Sequence, residues 1–328
     1  MKIFTGILLV MVLFFFGCVT KGKYSFIESS AQAKKDEFKN MREITAERFS
    51  FEPLLQKEAI LPAAPEVYLE SPKSVFPDGK AITEEKSSPV MQNLPPDPAP
   101  KTKSRKFKYK EFGVGEKFEF AVQYLGITAA TATFEIKEKV KIEGQPAYRL
   151  VSNAKVVPLF AAVYRVDDTV ESFIDIQGLY SRKLYKKLVE GNYESETTQY
   201  FDQNNGLVKE GDKLYNISEF CQDILSAFYY FRAHTLGVGR NIEIPVYAEG
   251  KVNKMTASVL RKEMVRIPLG RYEAYAVRPF MNFESIFKQE GEVTVWVSVE
   301  EPHIPLMMKS KAFVGSINAV LINAVVPK

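Results

Sequence analysis

The sequence predicts a mainly β domain: a single antiparallel, strongly curved sheet, either a half-barrel or a barrel, with one short helix packed on it. Two observations over residues 107–328 support this fold class. Apolar and polar residues alternate in run after run, which is the period of a half-buried strand. Short turn sequences separate the runs, and strands joined by short turns pair in antiparallel fashion. A domain of this length can bury one sizeable core.

The clearest strands lie near the two ends of this domain. Residues 118–124 and 130–137 near its start, and 293–300 near its end, alternate strictly. Turn residues such as those of Asn204-Asn205-Gly206 separate the strands between them. These further strands are predicted over 147–155, 164–174, 179–189, 193–201, 242–248, 253–260, 272–279 and 307–322.

One helix interrupts the strands, from about Asp223 to His234. Asp223 suits the first turn, where a negative charge stabilises the helix dipole. Leu225, Phe228 and Phe231 are predicted to share an apolar face. We expect this face either to plug the concave side of the sheet or to line a cavity there.

The first 18 residues have the organisation of a lipoprotein signal peptide. Lys2 precedes an apolar run from Ile7 to Phe16, which is too short to cross ~30 Å of hydrocarbon as a stop-transfer helix. Gly17-Cys18 follows, and a small residue before a cysteine is what lipoprotein processing requires. Phe15 and Phe16 replace the leucine and the small residue that usually precede this pair. We predict that Cys18 is acylated and becomes the mature N-terminus.

Residues 19–106 are predicted to be a disordered tether rich in proline, lysine and glutamate. Ten of the 18 prolines fall between Pro53 and Pro100, and proline removes an amide donor and disfavours helix at the residue before it. A short helix over residues 30–51 is the one exception. As a flexible coil, a chain of this length spans ~50 Å root-mean-square. The tether ends in a basic run over residues 101–110, which is either a solvated approach to the first strand or a contact for anionic groups.

Two residues inside the domain are expected to be structural. Arg232 ends an otherwise apolar helix, and a buried cation needs a partner. Asp167 or Asp168 is the candidate partner, in a structural ion pair. Cys221 has no second cysteine to pair with once Cys18 is acylated, and it is expected to be a buried, inert thiol.

The sequence offers no set of residues that indicates catalysis. The formal net charge of +4 from 44 basic and 40 acidic residues does not favour nucleic-acid binding. There is no compact metal-ligand motif, nucleophile elbow or phosphate loop, so neither a metal nor another cofactor is expected. His303 could in principle serve Ser226 or Ser298 as a base, but a turn histidine without a catalytic role is favoured. We predict that the protein is not an enzyme.

Several stretches resemble an envelope family known as domain of unknown function 3108. The resemblance spans roughly residues 112–321, and it implies exported, often lipid-anchored proteins of unassigned activity, with no catalytic residues to transfer. Its fold is similar to the half-barrel of bacterial lipoprotein carriers. The matching stretches are Gly113-Val114-Gly115-Glu116-Lys117-Phe118, Tyr124-Leu125-Gly126-Ile127, Tyr164-Arg165-Val166-Asp167-Asp168, Asp223-Ile224-Leu225-Ser226-Ala227-Phe228-Tyr229-Tyr230-Phe231-Arg232, Val295-Trp296-Val297-Ser298 and Gly315-Ser316-Ile317.

Two functions remain open at this point. The first is a lipid-anchored binding module for a hydrophobic ligand or an envelope component, held in the concave face of the sheet. The second is a structural or interaction lipoprotein with no small-molecule ligand. Both place the protein in the bacterial cell envelope, facing the periplasm from either the inner or the outer membrane. The expected partners are the membrane, through the N-terminal lipid, and a hydrophobic ligand or an envelope protein.

Overall fold

The computed structural model describes residues 45–54, 104–107, 112–162, 164–248, 250–281, 293–311 and 315–327. Cys18 and most of the predicted tether lie outside these residues. The described part contains two helices, α1 (Pro158–Ala161) and α2 (Ile224–Arg232). Its strands are β1 (Phe51–Pro53), β2 (Lys117–Tyr124), β3 (Ile127–Ile142), β4 (Gln145–Val156), β5 (Asp167–Asp175), β6 (Ser181–Glu190), β7 (Tyr193–Asp202), β8 (Leu207–Glu210), β9 (Lys213–Asn216), β10 (Asn241–Ala248), β11 (Lys251–Ile267), β12 (Gly270–Met281), β13 (Val293–Ser298), β14 (Pro305–Lys311) and β15 (Ser316–Val325).

These strands form one large antiparallel sheet that is not closed into a barrel. Each of β2 to β9 and of β10 to β15 pairs with its neighbour in sequence, and β15 pairs with β2. The free edges are therefore β9 and β10, and α2 lies in the connection between them. The fold class predicted from alternation and turns is confirmed. The prediction of one strand over 307–322 is wrong, because that range divides into β14 and β15; the short hairpin of β8 and β9 was missed.

The sheet curls until its two edges approach each other. Tyr247 of β10 packs against Tyr215 of β9, with ring centroids 5.6 Å apart. Cys221 and Gln222, which precede the N-cap of α2, connect both sides of the opening. Ser181 N donates to Cys221 O at 3.3 Å, and Gln222 N donates to Pro245 O at 2.8 Å. Residues 221–222 thus link β6 to β10 at one end of the curled sheet.

We call that end the lower end and the opposite one the upper end. The turns β3–β4, β5–β6, β7–β8, β11–β12 and β13–β14 lie at the lower end, and α2 crosses it. The turns β2–β3, β6–β7 and β8–β9, together with α1, lie at the upper end. No helix among the described residues combines the length and the apolarity that crossing a bilayer demands.

Part of the predicted tether is an ordered strap on the outside of the lower end. Phe49 is fully buried against Val140 and Ile142, and β1 pairs with β3. Arg48 Nε donates to Glu143 Oε1 at 2.5 Å, and its Nη1 donates to Asp202 Oδ2 at 2.7 Å. For residues 45–54 the disordered-tether prediction is therefore wrong, because one apolar side chain and one paired cation hold them on the domain.

Arg105, at the end of the predicted tether, also packs on the lower end. Its guanidinium donates to Gly178 O at 2.7 Å and lies 4.2 Å from the ring centroids of both Phe220 and Tyr230. The sequence analysis allowed a solvated approach or a contact for anionic groups in the basic run. At Arg105 the solvated approach is wrong, because the guanidinium stacks on aromatic rings instead of facing water.

Candidate ligand-binding site

The N-terminus of α2 is fixed to the inner face of the sheet by Asp223. This residue is the N-cap: its Oδ1 accepts from the backbone N–H groups of Leu225 and Ser226, both at 2.8 Å. Its Oδ2 accepts from Ser172 Oγ of β5 at 2.7 Å and from Ser181 Oγ of β6 at 2.5 Å. Burial raises the pKa of the Asp223 carboxyl, and these hydrogen bonds act against that rise. The helix start predicted at Asp223 is confirmed.

The C-terminus of α2 is fixed by a buried ion pair. Arg232 is fully buried, and its Nη1 and Nη2 donate to Oε1 and Oε2 of Glu116 at 2.8 and 2.9 Å. Tyr229 Oη donates to Glu116 Oε1 at 2.9 Å, and Arg232 Nε donates to Pro302 O at 3.1 Å. Because a bidentate pair satisfies both charged groups, the burial of this cation is explained.

The predicted partners of Arg232 were wrong. Asp167 is half exposed and lies 3.7 Å from Lys155 Nζ. Asp168 is buried at the upper end of β5, away from the helix terminus, and its Oδ1 accepts from Val189 N at 2.8 Å. The structure therefore brings neither aspartate to Arg232.

Asp168 is nevertheless the most perturbed carboxyl on the inner face of the upper end. It is 1% exposed, and its Oδ2 atom is buried without a hydrogen-bond partner among the described residues. Burial raises its pKa to about 7, against the lowering effect of the Val189 amide. A buried oxygen without a donor costs free energy, so a natural protein keeps one only for a reason.

Two neighbours on the same inner surface share this property. Ser152 Oγ of β4 and Gln199 Oε1 of β7 are also buried without a partner in the described part of the chain. Cross-strand pairs place them: Ser152 lies opposite core residue Val170, and Gln199 lies opposite core residue Leu184. Residues directly opposite share a face, so all of these side chains point inward. We call Ser152, Asp168 and Gln199 the inner polar face.

The strands next to the inner polar face carry small side chains in their upper halves. Ala132 lies opposite Ala154, and Ala154 lies opposite Asp168. One step lower, Phe134 lies opposite Ser152. The inner wall therefore has small side chains near the upper end of β3 and β4, and its polar residues extend downward past Phe134, since Gln199 lies in register with Leu184 and Ser172. Lys186, buried on β6 opposite Val170, adds a cation to the upper part.

The three helix residues predicted to line a cavity do not act as one face. Leu225 is buried in the main core, and Phe231 packs in a separate cluster against β10 to β12. Phe228 is half-buried, and its ring centroid lies 6.4 Å from that of Phe134. Phe228 packs against the same main core as Leu225, but it is the least buried of the three.

The remaining candidates also have defined places. Cys18 lies outside the described residues, so its acylation stays a prediction. Cys221 is fully buried, as expected, and burial raises the pKa of its thiol to about 12. His303 Nδ1 lies 3.0 Å from the backbone oxygen of Ser298, and Ser226 Oγ is engaged in the Asp223 cap. Neither serine hydroxyl is hydrogen-bonded to the imidazole of His303, as a nucleophile would be to its general base.

Sequence reasoning missed Glu116, Ser152 and Gln199. The alternation Asp168, Val170, Ser172 on β5 was visible, and it places Asp168 on the face of the core valine. The same argument applied to β4 would have identified Ser152. Glu116 had no such signal, because it precedes its strand and meets Arg232 across 116 positions of sequence.

Fold and inner surface together define a class: an open, helix-plugged antiparallel half-barrel with a partly polar concave wall. The chain belongs to the family of proteins of unknown function DUF3108, which matches residues 119–322. The resemblance noted in the sequence is thereby confirmed.

Two solved structures are similar to this chain. One is a β-barrel-like protein of domain of unknown function DUF1849 from Brucella abortus, with 11% identity and a TM-score of 0.45, covering 66% of this chain and 98% of that one. The other, from Bacteroides fragilis, is described as an exported protein with a YmcC-like fold; it has 10% identity and a TM-score of 0.28, and it covers 65% of this chain and 97% of that one. None of the curated proteins compared with this chain matches it.

Proposed function

We propose that this protein is a lipid-anchored envelope protein whose half-barrel binds an amphipathic ligand. The observation that supports this most is the inner polar face, with three polar atoms buried and unpaired on one wall. A ligand with a polar head and an apolar chain would give these atoms partners and would cover Phe134 and Phe228. The proposal includes no catalytic step and no cofactor.

Ser152 and Ser310 differ from the other described residues that have a buried unpaired side-chain atom, because the unpaired hydroxyl is the only polar atom of each serine side chain. Gln222 and His303 each have one unpaired side-chain atom at the lower end, but each is held through its other polar atom, by Leu179 O and Ser298 O. Ser152 has a single polar atom, and it has no partner among the described residues. Since replacing such a hydroxyl by a hydrogen atom, as in Ser→Ala, removes a desolvation cost, stability alone would select alanine.

The chemistry of the inner polar face indicates the polar part of the ligand. The Ser152 hydroxyl and the protonated form of Asp168 can donate hydrogen bonds, the unpaired Gln199 Oε1 can accept one, and Lys186 carries a positive charge. A phosphate or carboxylate headgroup offers several acceptor oxygens to such a set. An acylated lipid or a fatty acid therefore fits the site better than a wholly apolar molecule.

A matched pair of serines tests the proposal. Ser152 and Ser172 are both fully buried and point inward from adjacent strands, but Ser172 is bonded to Asp223. We expect Ser152→Ala to keep or raise the free energy of unfolding, by up to ~1 kcal/mol, and to reduce ligand binding. Ser172→Ala should lower the free energy of unfolding by ~1–3 kcal/mol.

Native mass spectrometry of protein extracted from bacterial membranes would identify bound lipid, and displacement of a fluorescent fatty acid would measure affinity. Lipid retained equally by the parent protein and by Ser152→Ala would contradict this location of the site. A parent protein that binds neither lipid nor probe would contradict the ligand-binding proposal and favour an interaction lipoprotein.

The anchor is tested separately. We expect Cys18→Ser to abolish labelling by a fatty-acid analogue and to leave the chain unprocessed or soluble. Unchanged labelling in that variant would rule out acylation at Cys18. A failure here would leave the half-barrel proposal standing, because the two experiments examine different parts of the chain.

A further inference from the structure

The most exposed of the large apolar side chains on the described surface lie mainly at the upper end. Six of them are more than half exposed, and four of these lie at the upper end: Leu125 at 62%, Ile127 at 58%, Leu159 at 77% and Phe280 at 62%. Their elements follow one another around the sheet, from the end of β12 past β13 to β15, then to the β2–β3 turn and α1. We call these four residues the apolar tips. The other two are Val238 and Met264, and the less exposed large apolar side chains of the lower end are Leu269, Ile322, Val325 and Val326, at 38–48%.

Leucine at position 125 does not favour the backbone conformation that its turn requires. Leu125 and Gly126 have φ angles of 50° and 81°, as the two central residues of a type I′ hairpin turn require. Asparagine or glycine suits the first of these positions, whereas a leucine there is strained and gains nothing from burial. Because this leucine is both strained and exposed, we interpret it as a residue that contacts another molecule and not as one that stabilises the domain.

A basic recess lies directly beside this turn. It encloses about 430 Å³ on the outer face, and its lining includes Lys309 and Lys311 of β14 together with Gly315. The recess touches the turn, because a Cβ atom on Gly315 would lie 2.8 Å from Leu125 Cδ2. Neither lysine has a carboxylate within ion-pair distance among the described residues. The apolar tips and two lysines that have no ion-pair partner among the described residues therefore lie at one end of the molecule.

We infer that the upper end docks on the surface of a lipid bilayer that contains anionic headgroups. The apolar tips are separate points on successive loops and form no groove, which suits shallow insertion at the headgroup boundary better than the seating of a peptide. The recess places two lysines where a phosphate headgroup would lie when Leu125 enters the acyl region. This inference depends neither on the inner polar face nor on acylation of Cys18, since the tips and the recess lie on the outside of the sheet.

Vesicle flotation tests the docking surface. The protein is residues 18–328 with Cys18→Ser, so that no acyl chain attaches it to the bilayer. The vesicles contain phosphatidylcholine alone or with one quarter phosphatidylglycerol. We expect the parent protein to float with the mixed vesicles and roughly thirtyfold more weakly with the neutral ones, because two lysines contribute ~1 kcal/mol each near an anionic surface.

Three variants identify the surface. Leu125→Asn should weaken flotation with the mixed vesicles by roughly tenfold or more, because burial of a leucine side chain contributes ~1.5–3 kcal/mol. Its thermal midpoint should stay equal or rise, since asparagine suits a positive φ. Lys309→Gln with Lys311→Gln should remove the preference for phosphatidylglycerol. Val238→Asn is the control: it removes an equally exposed apolar side chain at the lower end and should leave flotation unchanged.

Each other outcome contradicts the inference. A parent protein that does not float with either vesicle type would overturn it. Flotation that Leu125→Asn and Val238→Asn weaken equally would show nonspecific adsorption. Absence of flotation together with self-association that Leu125→Asn abolishes would assign the upper end to a second copy of the chain.

Discussion

The lower and the upper end of the half-barrel each contain a two-residue turn that begins with a non-glycine residue at positive φ. The side chain of that residue is buried in one turn and exposed in the other. Glu143 and Leu125 each begin a two-residue turn with positive φ, at 52° and 50°. At the lower end, the Glu143 carboxylate is buried and pairs with Arg48 and Arg182. At the upper end, the Leu125 side chain projects into solvent without a polar partner. The comparison shows that the lower end is built for stability, whereas the upper end keeps features that stability alone would remove.

The largest expected effect concerns the ion pairs of the two ends. Arg232→Met leaves the Glu116 carboxylate buried without its cation, so we expect the free energy of unfolding to fall by ~3–5 kcal/mol. Arg165 and Glu194 form an exposed pair near the upper end, at 3.3 Å. Arg165→Met should change stability by less than ~1 kcal/mol. Urea denaturation of both variants measures the difference, and equal effects would show that burial of the lower pair contributes nothing.

The next effect on the free energy of unfolding is expected for the strap, residues 45–54. Phe49 is fully buried at the lower end, so Phe49→Ala should lower the free energy of unfolding by ~3 kcal/mol through lost burial and a new cavity. Leu159, 77% exposed at the upper end, is the control, and Leu159→Ala should stay within ~0.5 kcal/mol. A Phe49 variant as stable as the parent would mean that the strap is not part of the cooperative unit.

Helix α2 crosses the lower end and carries one buried and one half-buried residue of the predicted apolar face. Leu225 is 2% exposed in the core, so Leu225→Ala should cost ~2–5 kcal/mol. Phe228 is half-buried against the same core and contacts Phe134, so Phe228→Ala should cost about 1–2 kcal/mol while it weakens ligand binding. If Phe228→Ala instead costs as much as Leu225→Ala and leaves the fluorescent fatty acid bound, Phe228 belongs to the core and not to a site.

The smallest effect depends on pH. The pKa of Asp168 is raised to about 7 in the folded protein, so between ~4 and about 7 the folded state binds a proton that the unfolded state does not. Ionised and buried Asp168 thus destabilises the fold above about pH 7, and this penalty is relieved as the pH falls to ~4. Asp168→Asn should raise the free energy of unfolding at pH 8.5 by ~1–2 kcal/mol and change it little at pH 4.5.

Urea melts at the two pH values compare parent and variant, so that other titrating groups cancel. Glu243→Gln is a suitable control, because Glu243 is 61% exposed in a surface pair with Lys254. A variant whose advantage is the same at both pH values would show that Asp168 is not the titrating group.

Much of the fold could be predicted from the sequence, because alternation and turn residues are local properties of the chain. The start of α2 at Asp223 was equally local, since an N-cap acts on the next three residues. The partner of Arg232 could not be predicted locally, because Glu116 is distant in sequence. Any buried carboxylate would satisfy the rule that a buried cation needs a partner. Composition also concealed the strap. Phe49 and Arg48 lie next to a proline-rich region, and the average composition of that region does not predict that residues 45–54 pack on the domain.

The inner polar face was only partly predictable. Asp168 was selected as a charged residue, but for a role that the structure assigns to Glu116. Ser152 and Gln199 attract no notice in a sequence, because serine and glutamine are ordinary on strands. Their significance depends on the absence of a neighbour, which only the arrangement of four adjacent strands reveals.

The pairing of β15 with β2 also determines how this domain can fold. The register joins Val325 to Lys117, so the last strand of the domain pairs with the first in the middle of the sheet. Until β15 is in place, β2 and β14 each present an unpaired edge in addition to the two permanent ones. The sheet therefore cannot be completed from a partly synthesised chain, and its final closure brings together segments about as far apart in sequence as the domain allows. Pairing of two segments so distant in sequence is intrinsically slow, and the temporary edges are the surfaces through which two unfinished chains would pair.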